Sequence, residues 1–302
     1  MDEPFGELRP LLFSIAYRML GSASEAEDIV QEAFLRYHRE TAGGTTVDSP
    51  KGYLSAITTR LCIDHLRSAR VRRESYVGTW LPEPLLTDED SDAERHAETA
   101  DSLSMGFLVL LETLTPVERA VFLLRDVFEY EFDEIARVVD KTEENCRQIA
   151  VRARRHVQAG RPRFEASKAQ RAELAQRFFA AAAEGDVDGL VGMLAADVVA
   201  YADGGGRATA FPRPVHGRDR VVRLLRGPAG SGRLTVNGQR FWVAGIRMAE
   251  INGQPGALFL DAQGVPVVAV SLDIADGQIQ TLHAVTNPEK LAHLRASVLG
   301  HS

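Results

Sequence analysis

The chain has 302 residues, 45% of them hydrophobic and 25% charged, which is enough for two or three globular domains with cores of their own. Its two cysteines, Cys62 and Cys146, lie far apart, which argues against a disulfide framework and for a reducing cytoplasm. A net charge of −7 excludes a uniformly basic nucleic-acid binder, but that total conceals strong segregation along the chain. No apolar run reaches the length of a membrane span, and the opening MDEPFGELRP is acidic where a secretory signal would be basic.

From Leu8 to about Tyr76 the pattern predicts helices. LLFSIAYRML runs to Gly21, a residue suited to a helix C-cap. A second helix is predicted from a capping box of Ser24 and Glu27, with Ile29, Val30, Ala33, Phe34 and Tyr37 as its buried stripe. After a polar loop, Thr41 to Asp48, Ser49 and Pro50 supply the N-cap and first position of a third helix. Between Arg60 and Arg73 that helix carries five arginines against one acid, Asp64. The next stretch inverts the sign: between Glu83 and Asp101 stand eight acids and one arginine, the composition of a solvated linker. It opens on WLPEP, Trp80 to Pro84, an apolar run unusual in a tether, since a Trp tends to be packed against something.

Helices resume from Leu103 to about Val157, and GRPRFEASKAQ breaks them again. Beyond Arg171 an amphipathic stretch leads into VVAYADGGG, and HGRDRVVRLLRG reads as a further short helix. Alternating runs follow, with Asn252–Gly253 and Asp276–Gly277 between them as hairpin turns. The expectation is two all-α pieces followed by an α+β domain whose sheet is mostly antiparallel and strongly bent.

The sharpest local signal lies in the second helical piece. Thr115–Pro116 with Glu118 forms a capping box with proline at the first helical position. The short helix FDEIARVV meets a tight turn at Asp140–Lys141, and Thr142 caps the next helix, which gives helix-turn-helix geometry. At 100° per residue, Cys146, Ile149, Ala150, Ala153 and Val157 share one face of that last helix. Glu144, Gln148, Val151 and Arg155 lie opposite, flanked by Arg147, Arg152 and Arg154. The apolar stripe seats the helix, and the opposite face is free for a major groove, where its early residues reach base edges and its arginines neutralise phosphates. Cys146 on the seating face reads as core.

EAEDIVQEAFLRYHR followed by SPKGYLSAITTRLCIDHLRS resembles region 2 of the extracytoplasmic-function group of sigma-70 factors. LETLTPVERAVFLLRDVFEYEFDEIARVVDKTEENCRQIAVRARRHV resembles their region 4. The resemblance implies that Asp28, Gln31, Glu32 and Leu35 dock on the clamp helices of the largest subunit of RNA polymerase core. It implies that Arg60, Asp64, Arg67 and Arg70 serve the −10 element as single strand, where extruding a base costs about a few kcal/mol of unstacking. Glu144, Arg147, Gln148, Val151, Arg152, Arg154 and Arg155 then serve the −35 element as duplex.

The last third resembles the SnoaL-like branch of cone-shaped α+β barrels, which includes nuclear transport factor 2. WLPEP, DGGGR and NPEKL resemble three signatures of a sigma subgroup with this extension. Arg207 stands where that pattern usually has Lys. The implied contact set joins Trp80, Leu81, Pro82 and Pro84 to Asp203, Gly204, Gly205, Gly206 and Arg207, and to Asn287 and Pro288. The expected division is 1–76 for region 2, 77–102 for the acidic linker, 103–160 for region 4, 161–170 for a second linker and 171–302 for the SnoaL-like domain.

Tyr201, Asp203, Trp242, Asp273 and His283 are candidates for chemistry in the cone. Simple alternation puts His283 on the face of Ile279, Thr281 and Val285, where it is either a cup residue or a satisfied core histidine, and no Asp–His pair stands at a diagnostic spacing. The expectation is therefore a cytoplasmic, non-enzymatic sigma factor without metal or cofactor, regulated in cis by its cone domain, whose cup could take a small-molecule ligand. The other classes weighed are a one-component DNA-binding regulator with a ligand-sensing domain, and a bifunctional protein with a SnoaL-like isomerase or cyclase.

Overall fold

The computed structural model describes residues 3–73, 76–87, 102–160, 167–226 and 233–299. Its contacts divide the chain into two compact units, Met1–Ser75 with Leu108–Arg161, and Tyr76–Phe107 with Pro162–Ser302.

The first unit is helical. Helix α1 (Glu3–Leu20) ends at Gly21, whose φ of 67° and N–H to the Tyr17 carbonyl (2.7 Å) make the expected C-cap. Helix α2 (Ala23–Ala42) begins earlier than its predicted box. Ser22, not Ser24, is the N-cap and accepts from the Glu25 N–H at 3.2 Å, because the one-residue break after Gly21 leaves Ser22 extended. Helix α3 (Pro50–Arg73) starts as predicted, with Ser49 Oγ accepting from the Gly52 N–H at 3.2 Å. Leu12, Ile15, Ala16, Val30, Phe34, Leu54 and Cys62 of these three helices are buried.

A short helix α4 (Met105–Leu111) precedes α5 (Pro116–Asp126), which carries the complete Thr115/Glu118 capping box. Helix α6 (Phe132–Val139) stops at Asp140, held left-handed at φ 53°, and α7 (Glu143–Gly160) follows. The Thr142 hydroxyl accepts from the Asn145 N–H at 3.2 Å. Within this unit the three-helix and helix-turn-helix parts pack together. The Arg119 guanidinium, 3% exposed, donates to the Met19 carbonyl at the end of α1 (2.6 Å) and to Glu112 (2.7 Å). The Tyr130 hydroxyl donates to Ser55 at 2.7 Å.

The second unit is α+β. Helices α8 (Lys168–Glu184) and α9 (Val187–Met193) run into strand β1 (Leu194–Asp203). Strand β2 (Val215–His216), helix α10 (Arg218–Arg226), and strands β3 (Arg233–Val236) and β4 (Gln239–Trp242) come next. Strands β5 (Gly245–Ile251), β6 (Gln254–Leu260), β7 (Pro266–Ala275) and β8 (Gln278–Val285) complete the strands, and helix α11 (Ala292–Leu299) ends the described chain. The large sheet has the order β2-β1-β8-β7-β6-β5, while β3 and β4 form a separate ribbon. All its pairings are antiparallel except β1 with β8, which is parallel. The predicted turns at Asn252–Gly253 and Asp276–Gly277 have φ of 55° and 70°, and 52° and 68°, as type I′ hairpins require.

One face of the sheet carries the core against the helices: Phe178, Phe179, Leu190, Met193, Val198, Ala200, Val221, Val270, Leu272, Ile279 and Leu282. Strand β8 is bulged at Gln280, since Asp273 pairs with Thr281 while Ile274 pairs with Ile279. The bulge corrects the alternation reading. Ile279 joins Leu282 in the core, and Thr281, His283 and Val285 fall on the opposite face, outside that core.

Candidate polymerase and nucleic-acid interfaces and the linker clasp

On α2, Asp28, Gln31 and Leu35 are exposed and Glu32 is half-buried; their spacing places them on one side of the helix. Leu35 is 44% exposed, an apolar side chain at the centre of a polar face. Glu32 pairs with Arg36 at 2.8 Å. The opposite side, through Ala26, Ile29, Val30 and Ala33, packs into the unit.

On α3 the predicted set is divided. Asp64 and Arg67 are exposed and pair with each other at 3.3 Å. Arg60 reaches to the helix-turn-helix, where Nε donates to the Val138 carbonyl at 3.0 Å and Nη2 to the Arg137 carbonyl at 2.5 Å. Those carbonyls end α6, where unpaired C=O groups favour a cation. The helix carries Arg70, whose side chain lies outside the described residues.

On α7, Cys146, Ile149, Ala150, Ala153 and Val157 are buried, as the 100° projection requires. Glu144, Arg147, Gln148, Val151, Arg152 and Arg155 are exposed. Arg147 pairs with Glu143 (2.7 Å) and its guanidinium lies 5.2 Å from the centre of the Phe132 ring. Arg154 is half-buried and pairs with Asp126 of α5 at 2.6 Å, which fixes α7 on its support. Val151, 44% exposed, stands amid the polar face, where an apolar contact such as a thymine methyl would fit. Burial pushes the thiols of Cys62 and Cys146 up from their ordinary value.

The second unit holds a compact polar cluster around Asp203, whose carboxylate is fully buried. Its Oδ1 accepts from the Tyr76 hydroxyl (2.5 Å) and from the Gly205 N–H (3.0 Å). Its Oδ2 accepts from the Leu81 N–H (2.8 Å) and from Lys290 Nζ (2.7 Å). The Lys290 ammonium also donates to the Leu81 carbonyl and sits 4.3 Å from the Trp80 ring centre and 5.0 Å from that of Tyr76. Asn287 Nδ2 donates to the Tyr76 hydroxyl at 3.0 Å. Desolvation, reinforced by the Asp203 carboxylate, raises the Tyr76 phenol above its ordinary value. Leu81, Pro82 and Pro84 are buried and Trp80 is half-buried.

The glycines of DGGGR have two separate reasons. Gly205 and Gly206 adopt φ of 58° and 71°, a region that favours glycine. A Cβ at Gly205 would lie 2.3 Å from Asn287 Nδ2, and one at Gly204 would lie 2.4 Å from the Ala208 carbonyl oxygen. Arg207 is exposed and pairs with Glu289 at 2.9 Å, while Pro288 is half-buried. Further along, the Leu85 N–H donates to Asn252 Oδ1 (2.9 Å), His293 contacts the Pro84 carbonyl (2.7 Å), and Leu86 forms a β-bridge with Ile251. Tyr76, Lys290, His293 and Asn252 are among the participants missing from the predicted set. Lys290 lies within the NPEKL motif, whereas Tyr76, at the end of the arginine-rich stretch, carries no sequence signal of its own.

In the cone, His283 Nε2 lies 3.0 Å from Asp273 Oδ2, with both side chains almost fully buried, and its ring stacks on Tyr201 at 5.5 Å. The hairpin register brings them together, a pairing that sequence spacing does not announce. Trp242 is 59% exposed on the small ribbon. Among the described residues there is no group of three or more His, Cys, Asp or Glu arranged to hold a metal ion, and no helix long and apolar enough to cross a membrane.

The models for Sigma-70 region 2 and Sigma-70, region 4 match residues 5–72 and 104–157. The ECF RNA polymerase sigma factor SigJ of Mycobacterium tuberculosis is 38% identical over 95% of this chain and 91% of its own length. The probable ECF RNA polymerase sigma factor SigI of the same species is 32% identical over 97% and 95%. The crystal structure of Mycobacterium tuberculosis SigJ superposes with a TM-score of 0.77 at 33% identity, covering 97% of this chain and 98% of that one. That agreement takes in the helical regions and the cone-shaped SnoaL-like domain together. The chain belongs to the extracytoplasmic-function family of RNA polymerase sigma factors.

Proposed function

We propose that this chain binds RNA polymerase core, directs initiation at a restricted promoter set, and is regulated in cis by its SnoaL-like domain. Asp28, Gln31, Glu32 and Leu35 form the core-binding face, and Glu144, Gln148 and Val151 read the −35 duplex while Arg147, Arg152 and Arg155 neutralise phosphates. Arg154 acts through Asp126, positioning the reader. Asp64, Arg67 and Arg70 serve the −10 strand, and Arg60 joins them when its two carbonyl contacts are released.

The observation that carries the cis-regulatory part is the Asp203 carboxylate, which gathers Tyr76, Leu81 and Lys290 and so binds the linker between the two DNA-binding regions to the cone domain. A linker held at fixed points restricts the spacing available to the regions it joins. The proposed role requires neither a reaction nor a ligand. The helix-facing side of the sheet is filled by apolar side chains, and the Asp273–His283 pair lies on the other face. In-vitro transcription with purified core polymerase tests the reading. The whole chain should initiate at a subset of genomic promoters, and Asp203→Ala should change that output. Failure of the whole chain to initiate anywhere overturns the sigma role; identical output from both overturns cis-regulation alone.

A further inference from the structure

The C-terminal unit has a charge asymmetry that the clasp does not use. Between Arg207 and Arg247 stand nine arginines and a single acid, Asp219, within a chain whose net charge is −7. Helix α10 presents this charge in an ordered way. Val221 and Val222 are buried against the core, while Arg220, Arg223 and Arg226 are exposed on the other side. A hollow of about 410 Å³ opens at the start of the helix, lined by Ala196, His216, Gly217, Arg218, Asp219, Arg220 and Arg223. The Arg218 Nε lies there out of solvent without a hydrogen-bond partner among the described residues. On the β3–β4 ribbon, Arg233 pairs across from Trp242 and Thr235 across from Arg240, and all four are exposed. The Arg233 guanidinium lies 4.7 Å from the centre of the Trp242 ring.

We infer that the arginine face of α10, with the hollow at its start, binds the phosphate backbone of duplex DNA, adding a sequence-independent contact to those of region 4. The inference rests on the reading of the chain as a promoter-binding sigma factor. The charge is complementary to DNA and opposite to that of the whole chain, so attraction is local to this surface. Arginine is suited to phosphate because its planar fork donates two parallel hydrogen bonds. The hollow gives a phosphate a place among Arg218, Arg220 and Arg223, with no more than one carboxylate, Asp219, on its wall.

The test is fluorescence anisotropy of the full chain on a fluorescein-labelled duplex of random sequence, titrated across potassium chloride concentrations. Each phosphate contact contributes about 0.9 to the slope of log K against log salt, equivalent to roughly eight-fold in affinity at ~0.1 M salt. The variant carrying Arg220→Gln, Arg223→Gln and Arg226→Gln should reduce the slope by about 2 to 3. These side chains are exposed, so an unchanged circular-dichroism spectrum and melting curve are expected. Arg155→Gln in region 4 separates the two readings. If Arg155→Gln lowers the slope and the triple variant does not, the SnoaL surface is not a DNA contact and the region 4 reading stands. If neither lowers it, both are overturned. Inorganic phosphate provides the remaining arm: a thermal shift with phosphate that the triple variant abolishes, alongside an unchanged DNA slope, assigns the hollow to a small anion and overturns the inference.

Discussion

Replacing Asp203 with Ala isolates what the clasp contributes. The substitution leaves the Lys290 ammonium, whose side chain is 10% exposed, without its carboxylate, and strands the Leu81 N–H and the Tyr76 hydroxyl. Breaking a buried ion pair from one side costs about 3–5 kcal/mol, because the remaining charge stays desolvated. The unit that contains the clasp spans Tyr76–Phe107 and Pro162–Ser302, and in a unit of that size each kcal/mol moves the midpoint by about 2–4 °C. Its transition should therefore fall by about 6–20 °C in differential scanning calorimetry. Hydrogen exchange localises the effect: the Leu81 amide should lose protection, while amides of α2 and α5 keep theirs. A midpoint within about 2 °C of the parent, with the Leu81 amide still protected, would refute the claim that the carboxylate holds the linker.

Other outcomes follow from the same geometry. Gly205→Ala forces a Cβ at φ 58° to within 2.3 Å of Asn287 Nδ2, and should destabilise the same unit by about 1–3 kcal/mol in denaturant titration. The raised Tyr76 phenol contributes stability that is fully present below its ordinary value of 10.0. That contribution is lost as pH rises above that value toward the folded one; the Tyr76→Phe chain should lack this part of the alkaline loss of stability. Both thiols are buried and shifted up, so neither Cys62 nor Cys146 should react with iodoacetamide until the first unit unfolds, as mass spectrometry would record. Glu144→Ala should alter base preference at one −35 position by about 1–3 kcal/mol in competition binding, leaving the salt slope in place.

Much of the geometry of the candidate surface was legible in the residue order because local signals agree there. The box at Thr115 and Glu118, the left-handed Asp140 and the Thr142 cap each act over three or four residues, and the apolar stripe of α7 is a property of one helix. The Ser24 box failed for a local reason as well, since the break after Gly21 was shorter than the pattern suggested and Ser22 reached the N–H groups first. The motifs WLPEP, DGGGR and NPEKL were visible as three separate stretches.

Chain order alone determined the helical content, the exposed polar face of α7 and the charge segregation, because helix periodicity, caps and composition are all written within a few residues of one another. Only the tertiary structure decided what converges. It placed Tyr76 and Leu81 on one buried carboxylate more than a hundred residues downstream. It turned Arg60 toward the carbonyls of α6. Through one extra residue in β8, it moved His283 to the far face of the sheet and against Asp273. Strand register and long-range hydrogen bonds depend on which segments meet in space, and a single bulge reverses every side chain beyond it.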